Sequence, residues 1–306
     1  MRNAAKFAVI VAIAAACFVA AGQSRAAEPA PVAAQAAAFT SDRLSVEVLG
    51  QGPDVILIPG FGSSREVWRA TAERLKATRR VHMVQLAGFA GEPWRHGDTG
   101  PFVAPVVEEL DRYIREQGLE RPAVVGHSMG ALVGLRLAQS HPEAVGKLLS
   151  VDSLPFFSAL YGPQVTPATA APFAEQAAAG FLNTPDEAYR AGQTQSAAGL
   201  VRDPATRAAM VEWVLASDKQ ALAAAIRDVM TNDARPELAA MTTPVTALYA
   251  ADADGGAPAA MADAMWTREY ATLPGVELIR VDGSRHFIMA DQPERFAELL
   301  DAFLAR

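Results

Sequence analysis

The chain has 306 residues, 51% of them hydrophobic and 20% charged, with 27 basic side chains against 34 acidic ones. That composition is globular and supplies one large core, which excludes disordered and collagen-like classes. The acidic balance argues against nucleic acid and anionic membrane as partners, because both favour basic patches.

The start of the chain differs from the rest. Arg2 and Lys6 precede an uncharged apolar run, Phe7 to Ala21, and small residues follow up to Ala27. This order predicts a secretory signal peptide over residues 1–26, with Ser24 and Ala26 as the small residues before the cut and Ala27 an equally tolerable end. The run is shorter than the roughly 20 residues a membrane-spanning helix needs. Cys17, the one cysteine, would leave with the peptide, so the mature chain would carry no thiol. A lipoprotein reading of Cys17 meets the objection that the apolar run continues through Phe18 and Val19. Loss of Arg2, Lys6 and Arg25 leaves 24 basic residues against 34 acidic ones, a net charge of −10. An exported protein, periplasmic or extracellular, is expected.

Residues 27–39 are rich in Ala and Pro and read as a flexible leader. From residue 40 to 306 short apolar runs alternate with helical stretches. Leu44–Leu49, Val55–Ile58, Val81–Leu86, Ala123–Val125, Lys147–Val151, Val245–Ala250 and Glu277–Val281 are the expected strands. Arg65–Ala77, Phe102–Gln117, Met129–Ser140 and Pro293–Leu304 have apolar residues three or four apart, as helices do. The pattern predicts an α/β class, a mainly parallel sheet with helices on both faces. The long interval between the fifth and sixth strands is too long for a bare loop. Helical patterns at Pro172–Gly180, Pro185–Thr194, Pro204–Ala216 and Lys219–Met230 make it an inserted helical cap, about residues 154–243.

The central chemical signal is Gly126-His127-Ser128-Met129-Gly130, a G-x-S-x-G pattern between a strand and a helix. Its two glycines would let strand and helix approach closely while Ser128 projects from the carboxyl edge of the sheet. A serine hydroxyl needs a base. Of the five histidines, His127 is expected to pack beneath the turn, His141 to cap a helix, His82 to lie in a strand and His96 in a polar loop. His286, directly after the last strand and on the same sheet edge as Ser128, is the expected base. The third member should be a buried carboxylate that orients the imidazole. Asp252 and Asp254 both follow the strand Val245–Ala250, and Asp252, nearer its end, is preferred; Asp152, after the preceding strand, is a third candidate. The D-x-D-G-G spacing lacks the other ligands of a calcium loop, so no metal is expected. The backbone N–H groups of Met129 and Phe61 are the expected donors to an oxyanion, Phe61 because Gly60 and Gly62 let its loop turn inward. No Gly-Lys-Ser/Thr follows those glycines, so a nucleotide site is not expected.

The stretches LIPGFGSSREVW, VVGHSMGALVGLRLAQSHPE, VDS and DGSRHFIMADQPERF give the chain, from about residue 44 to its end, a likeness to a known family. It resembles the α/β-hydrolase superfamily, in its capped bacterial esterase-like branch. Two departures stand out: Pro59, where many relatives carry a His, and the acid loop, whose two aspartates straddle the expected position. Relatives that cleave carbon–halogen bonds or epoxides carry an aspartate where this chain has Ser128. The resemblance therefore implies acyl transfer to water: hydrolysis of a carboxylic ester, a lactone or a thioester through an acyl-serine, with no cofactor and a small-molecule substrate. An amidase or aminopeptidase of the same fold is the alternative within enzymes, and a non-catalytic binding protein on a hydrolase scaffold is the alternative outside them. Phe156, Phe157, Tyr161, Phe173, Phe181 and Trp213 in the cap would form its core or line a cavity.

Overall fold

A computed structural model describes residues 39–306; the expected signal peptide and nearly all of the leader lie outside the described residues. Seven strands form one sheet in the order β1-β3-β2-β4-β5-β6-β7. They are β1 (Leu44–Leu49), β2 (Asp54–Ile58), β3 (Arg80–Leu86), β4 (Ala123–His127), β5 (Lys147–Val151), β6 (Val245–Ala251) and β7 (Glu277–Asp282). Only β1 runs antiparallel to its neighbour, β3; every other pairing is parallel. Both faces of the central strands are covered, which is why β2, β4 and β6 read as largely apolar runs, while β3 also buries the polar His82 and Gln85.

Alternate residues of each strand feed two separate cores, as the pleat requires. Ile56, Ile58, Val84 and Val124 face one side, where α2 (Val103–Glu116), α3 (Met129–Ser140) and α8 (Ala259–Glu269) pack. Val55, Leu57, Met83 and Val125 face the other, against α1 (Arg69–Leu75) and α10 (Pro293–Ala305). In α2 the buried Val103, Val106, Val107, Leu110 and Ile114 recur at helical spacing and make one apolar stripe.

Between β5 and β6 the chain forms α4 (Pro167–Asn183), α5 (Asp186–Leu200), α6 (Pro204–Ala216) and α7 (Lys219–Thr231), with short 3₁₀ turns at either end. Local chemistry sets their starts. Thr166 accepts a hydrogen bond from Thr169 N at 3.3 Å ahead of Pro167, Asp203 from Thr206 N at 2.6 Å ahead of Pro204, and Asp218 from Gln220 N at 2.8 Å. The helix expected to start at Pro172 thus begins five residues earlier, at Pro167, with Pro172 inside it. Helix α4 lies along α7 through alanines, Ala170, Ala174 and Ala178, and Ala221, Ala224 and Ala225 are buried on α7. Among the described residues no helix is long and apolar enough to cross a membrane.

Candidate active site

Strand β4 ends at His127 and α3 begins at Met129, so Ser128 alone makes the turn. Its backbone adopts φ 53° and ψ −123°, a strained conformation for a residue with a side chain. The flanking glycines explain how it is held. A Cβ on Gly126 would stand 2.3 Å from the Gly130 carbonyl oxygen, and one on Gly130 would stand 2.4 Å from that of Ile58. Only bare backbone fits at either place. The serine's own backbone is tied on both sides: its N–H donates to Val151 O at 2.9 Å, and its carbonyl accepts from Ala131 N at 2.9 Å and Leu132 N at 3.2 Å.

His286 follows β7 in the loop Gly283–Phe287. Its Nδ1 lies 2.7 Å from Asp152 Oδ2. The other oxygen, Asp152 Oδ1, accepts from Ala250 N at 2.8 Å, and Asp152 N donates to Leu248 O at 2.8 Å. An Nδ1–H donated to this carboxylate leaves the Nε2 lone pair as the proton acceptor. Strand register explains the geometry. His127 pairs with Val151, so one step beyond the strand ends Ser128 and Asp152 leave the sheet side by side.

The expectation that Asp252 would meet the imidazole is corrected by these contacts. Asp252 lies beyond the end of β6, where its backbone pairs with Ala257 and turns the loop back. Its buried carboxylate is taken by two arginines: Arg202 Nη2 at 2.5 Å and Nε at 3.0 Å, and Arg285 Nε at 2.8 Å. The Arg202 hydrogen bonds, with those of Arg285, outweigh the cost of burial and hold its pKa down at about 2. Asp254 is exposed, with its carboxylate 3.4 Å from Arg202. The Asp252–Asp254 loop therefore holds guanidinium groups where a calcium loop would hold an ion.

The remaining histidines have other work. His127 is buried beneath the turn, its ring centroid 4.5 Å from that of His286 and 4.6 Å from that of Phe287. Its Nε2 lies 2.9 Å from the His286 carbonyl, and its Nδ1 has no partner among the described residues. Burial, with the nearby His286, keeps the ring neutral by pushing its pKa well below the ordinary value. His82 sits between Tyr113 Oη at 2.6 Å and Asp54 Oδ1 at 2.9 Å. His96 lies 3.3 Å from the Asp42 carbonyl. His141 ends α3 and lies 3.2 Å from Glu108 Oε1. With Asp111 and Glu143 it forms the one group among the described residues whose donors could gather on a metal ion, and Arg115 already occupies Asp111 at 2.8 Å.

The loop Pro59–Ser64 after β2 lies against the turn: a Cβ on Gly60 would stand 3.1 Å from Ser128 Cβ. Neither the Phe61 N–H nor the Met129 N–H has an acceptor among the described residues, and Met129 opens α3, where backbone donors and the positive end of the helix dipole point outward. Gln85, a buried β3 side chain that the sequence did not single out, braces this loop by accepting from Arg65 N at 2.7 Å and donating to Ser63 O at 3.3 Å. The cap roofs it. The Phe61 ring lies 5.4 Å from Phe181 of α4, and a Cβ on Gly62 would meet Val214 of α6 at 3.1 Å. Phe181 thus belongs to the wall of the site and Phe156 to the core, while Tyr161 and Phe173 are exposed.

Comparison with known proteins agrees with this architecture. Residues 55–299 match the model of the alpha/beta hydrolase family. A pimeloyl-(acyl-carrier protein) methyl ester esterase of Vibrio cholerae is 30% identical over 262 residues, 85% of this chain and 97% of that protein. The protein of the same name from Yersinia enterocolitica is 29% identical over 84% of this chain and 95% of its own length. Among solved structures, the enol-lactonase from Burkholderia xenovorans LB400 superposes with a TM-score of 0.70 at 17% identity, covering 86% of this chain and 96% of that one. A thermophilic esterase from Thermogutta terrifontis gives 0.68 at 22% identity, covering 86% and 93%. With the sheet order, the strained serine turn and the family match over most of its length, the chain belongs to the α/β-hydrolase family.

Proposed function

We propose that the protein is a serine hydrolase that cleaves carboxylic esters through an acyl-serine intermediate, without a cofactor. The observation that carries this reading is the 2.7 Å contact between His286 Nδ1 and Asp152, formed beside a serine held at φ 53°. His286 Nε2 takes the proton of Ser128 Oγ as that oxygen bonds to the ester carbonyl carbon. Asp152 fixes the tautomer and balances the imidazolium. The carbonyl oxygen, now an oxyanion, is met by the N–H groups of Phe61 and Met129. Collapse breaks the bond to the alkoxy group, which leaves with the proton from His286. Water repeats the sequence on the acyl-serine, giving its proton to His286 and releasing the acid, while Ser128 Oγ recovers a proton from the imidazolium.

The relatives' names support an ester as substrate, and a methyl ester of a short acyl chain is the first compound to try. The experiment is covalent labelling with a fluorophosphonate alongside turnover of p-nitrophenyl esters, methyl esters, lactones and aminoacyl amides. Ser128→Ala is expected to abolish labelling and ester turnover together. A wild-type protein that neither labels nor turns over any of them would make the chain a binding protein on this scaffold, and one that prefers the amides would make it an amidase.

We further propose that the protein is exported from the cytoplasm, on the basic, apolar and small-residue order of residues 1–26. Amino-terminal sequencing of the exported fraction should begin at Ala27 or Glu28. An intact Met1 or a lipid on Cys17 would contradict it.

A further inference from the structure

The cap does more than roof the site, because its α5–α6 junction reaches the loop that carries His286. Val201, at that junction, is fully buried in the core that also holds Phe287 and Ile288. The next residue, Arg202, puts its side chain on Asp252 and its backbone N–H on Asp291 Oδ1 at 2.8 Å; Asp203 N reaches the same oxygen at 3.0 Å. Arg285, directly before His286, joins the cluster from the other side. Its Nε lies 2.8 Å from Asp252 Oδ2, its backbone N donates to Asp291 Oδ2 at 2.9 Å, and its Nη1 donates to the Ala198 carbonyl at the end of α5. Gly255 lets the loop fold over this ion cluster, since a Cβ there would stand 2.9 Å from Asp252 Oδ2 and 3.1 Å from Arg285 Nε.

We propose that Asp252 is a positioning residue, which clamps the α5–α6 junction of the cap to the His286 loop through Arg202 and Arg285 and so couples cap closure to placement of the imidazole. The proposal rests on the reading of Ser128 and His286 as nucleophile and base. Mechanically, the imidazole's backbone is pinned on one flank by Arg285 and on the other by His127, which takes its carbonyl. Electrostatically, the groups around His286 are Asp152 from β5, His127 from β4, and, through Arg285, Asp252 and Asp254 from the β6 loop, Arg202 from the cap and Asp291 from its own segment. Two guanidinium groups and the Asp252 and Asp291 carboxylates nearly cancel there, so removing one charge should be felt by the imidazolium.

The signs are opposite for the two partners. Asp252→Asn leaves excess positive charge, disfavours the imidazolium and should move the acid limb of kcat/KM to lower pH, by about half a unit for a charge screened over several ångströms. Arg202→Gln leaves excess negative charge and should move the limb to higher pH by a similar amount, about half a unit. Both free the cap, so each should raise KM, and kcat should fall by about three- to tenfold, less than for loss of a triad member. The double variant should return the limb to its wild-type position while KM stays high. Trypsin should cut faster at Arg202 or Arg207 in any single or double variant that still carries the site. Circular dichroism comes first; if Asp252→Asn does not fold, Arg202→Gln and its limb decide the matter. Limbs that stay within about 0.2 units with KM and kcat unchanged, or that move in the same direction in both variants, would overturn the proposal and leave Asp252 a loop residue. Ester turnover retained by Ser128→Ala would instead sink the underlying catalytic reading, whatever the limbs do.

Discussion

Two aspartates compete for two kinds of partner, and neighbouring strands decide which gets which. Asp152 leaves the strand next to the one that leads into Ser128, in register with it, and meets an imidazole. Asp252 leaves one strand further away and meets arginines. Asp152→Asn should therefore lower kcat by at least about 100-fold, a cautious share of the roughly 10⁴ known for the analogous change in another hydrolase. Asp252→Asn should stay within about tenfold. Steady-state kinetics on the two folded variants checks the contrast, and the reverse order of damage would return the acid to the β6 loop. For the proposed mechanism, Ser128 and His286 were legible in the sequence because one sits in a motif and the other in the loop directly after the last strand. The carboxylate that meets the imidazole was not, because that depends on strand register. A clue was present in Arg285: a cation beside His286 makes a free carboxylate in the neighbouring loop a natural salt-bridge partner.

His127 gives a second expectation at this scale. Burial depresses its pKa in the folded state, so the unfolded chain binds a proton that the folded chain refuses. Its contribution to stability is fully present above the unfolded value near 6.5 and declines as pH falls toward the lower folded value, by about 1.4 kcal/mol per pH unit for one proton. His82, also depressed by burial, adds to the same slope. Unfolding midpoints between pH 7 and 5 should fall in the wild type, and His127→Gln should flatten part of that fall. An unchanged slope would mean that the ring is protonated in the fold.

At the scale of elements, the serine turn is a place where strand, turn and helix leave no room for a methyl group. Gly130→Ala should destabilise the protein by about 2–4 kcal/mol, since the added carbon meets the carbonyls of Ile58 and Pro59, and should cost activity in proportion to how far Ser128 is displaced. The cap responds differently because α4 and α7 are packed through alanines. Ala174→Leu should overfill that contact at about 1–3 kcal/mol and raise KM before it affects the sheet, which thermal unfolding and substrate saturation curves would separate. The same alanines explain why this helix was hard to bound from sequence. A face made of Ala looks scarcely different from an exposed face of Ala, so periodicity could not mark its start. Helix α8, with three buried residues in eleven, left no comparable stripe. Helix α2 did, and its bounds agree with the expectation to within a residue.

For the whole molecule, the alternation of apolar runs and helical stretches was enough to give a mainly parallel sheet covered on both faces, because a strand buried on both sides has a distinctive composition. What the alternation could not give is the route by which the cap touches both cores, through Val201 on one side and Phe181 on the other. The pairing of β5 with β6 has a consequence in time. Residues 152–244 lie between these two strands, so their pairing closes a very long loop, at an entropic cost of about 4 kcal/mol before any contact repays it. Asp152 receives its hydrogen bond from Ala250 only after that closure, and His286 arrives later still along the chain. A chain emerging from its amino end would carry a folded half-sheet and the Ser128 turn well before His286 could reach Asp152. In refolding from denaturant, far-UV ellipticity should therefore recover first and reactivity toward a fluorophosphonate last, with the lag set by the slow, non-local closure; simultaneous recovery of the two signals would show that the sheet and the site assemble in one step.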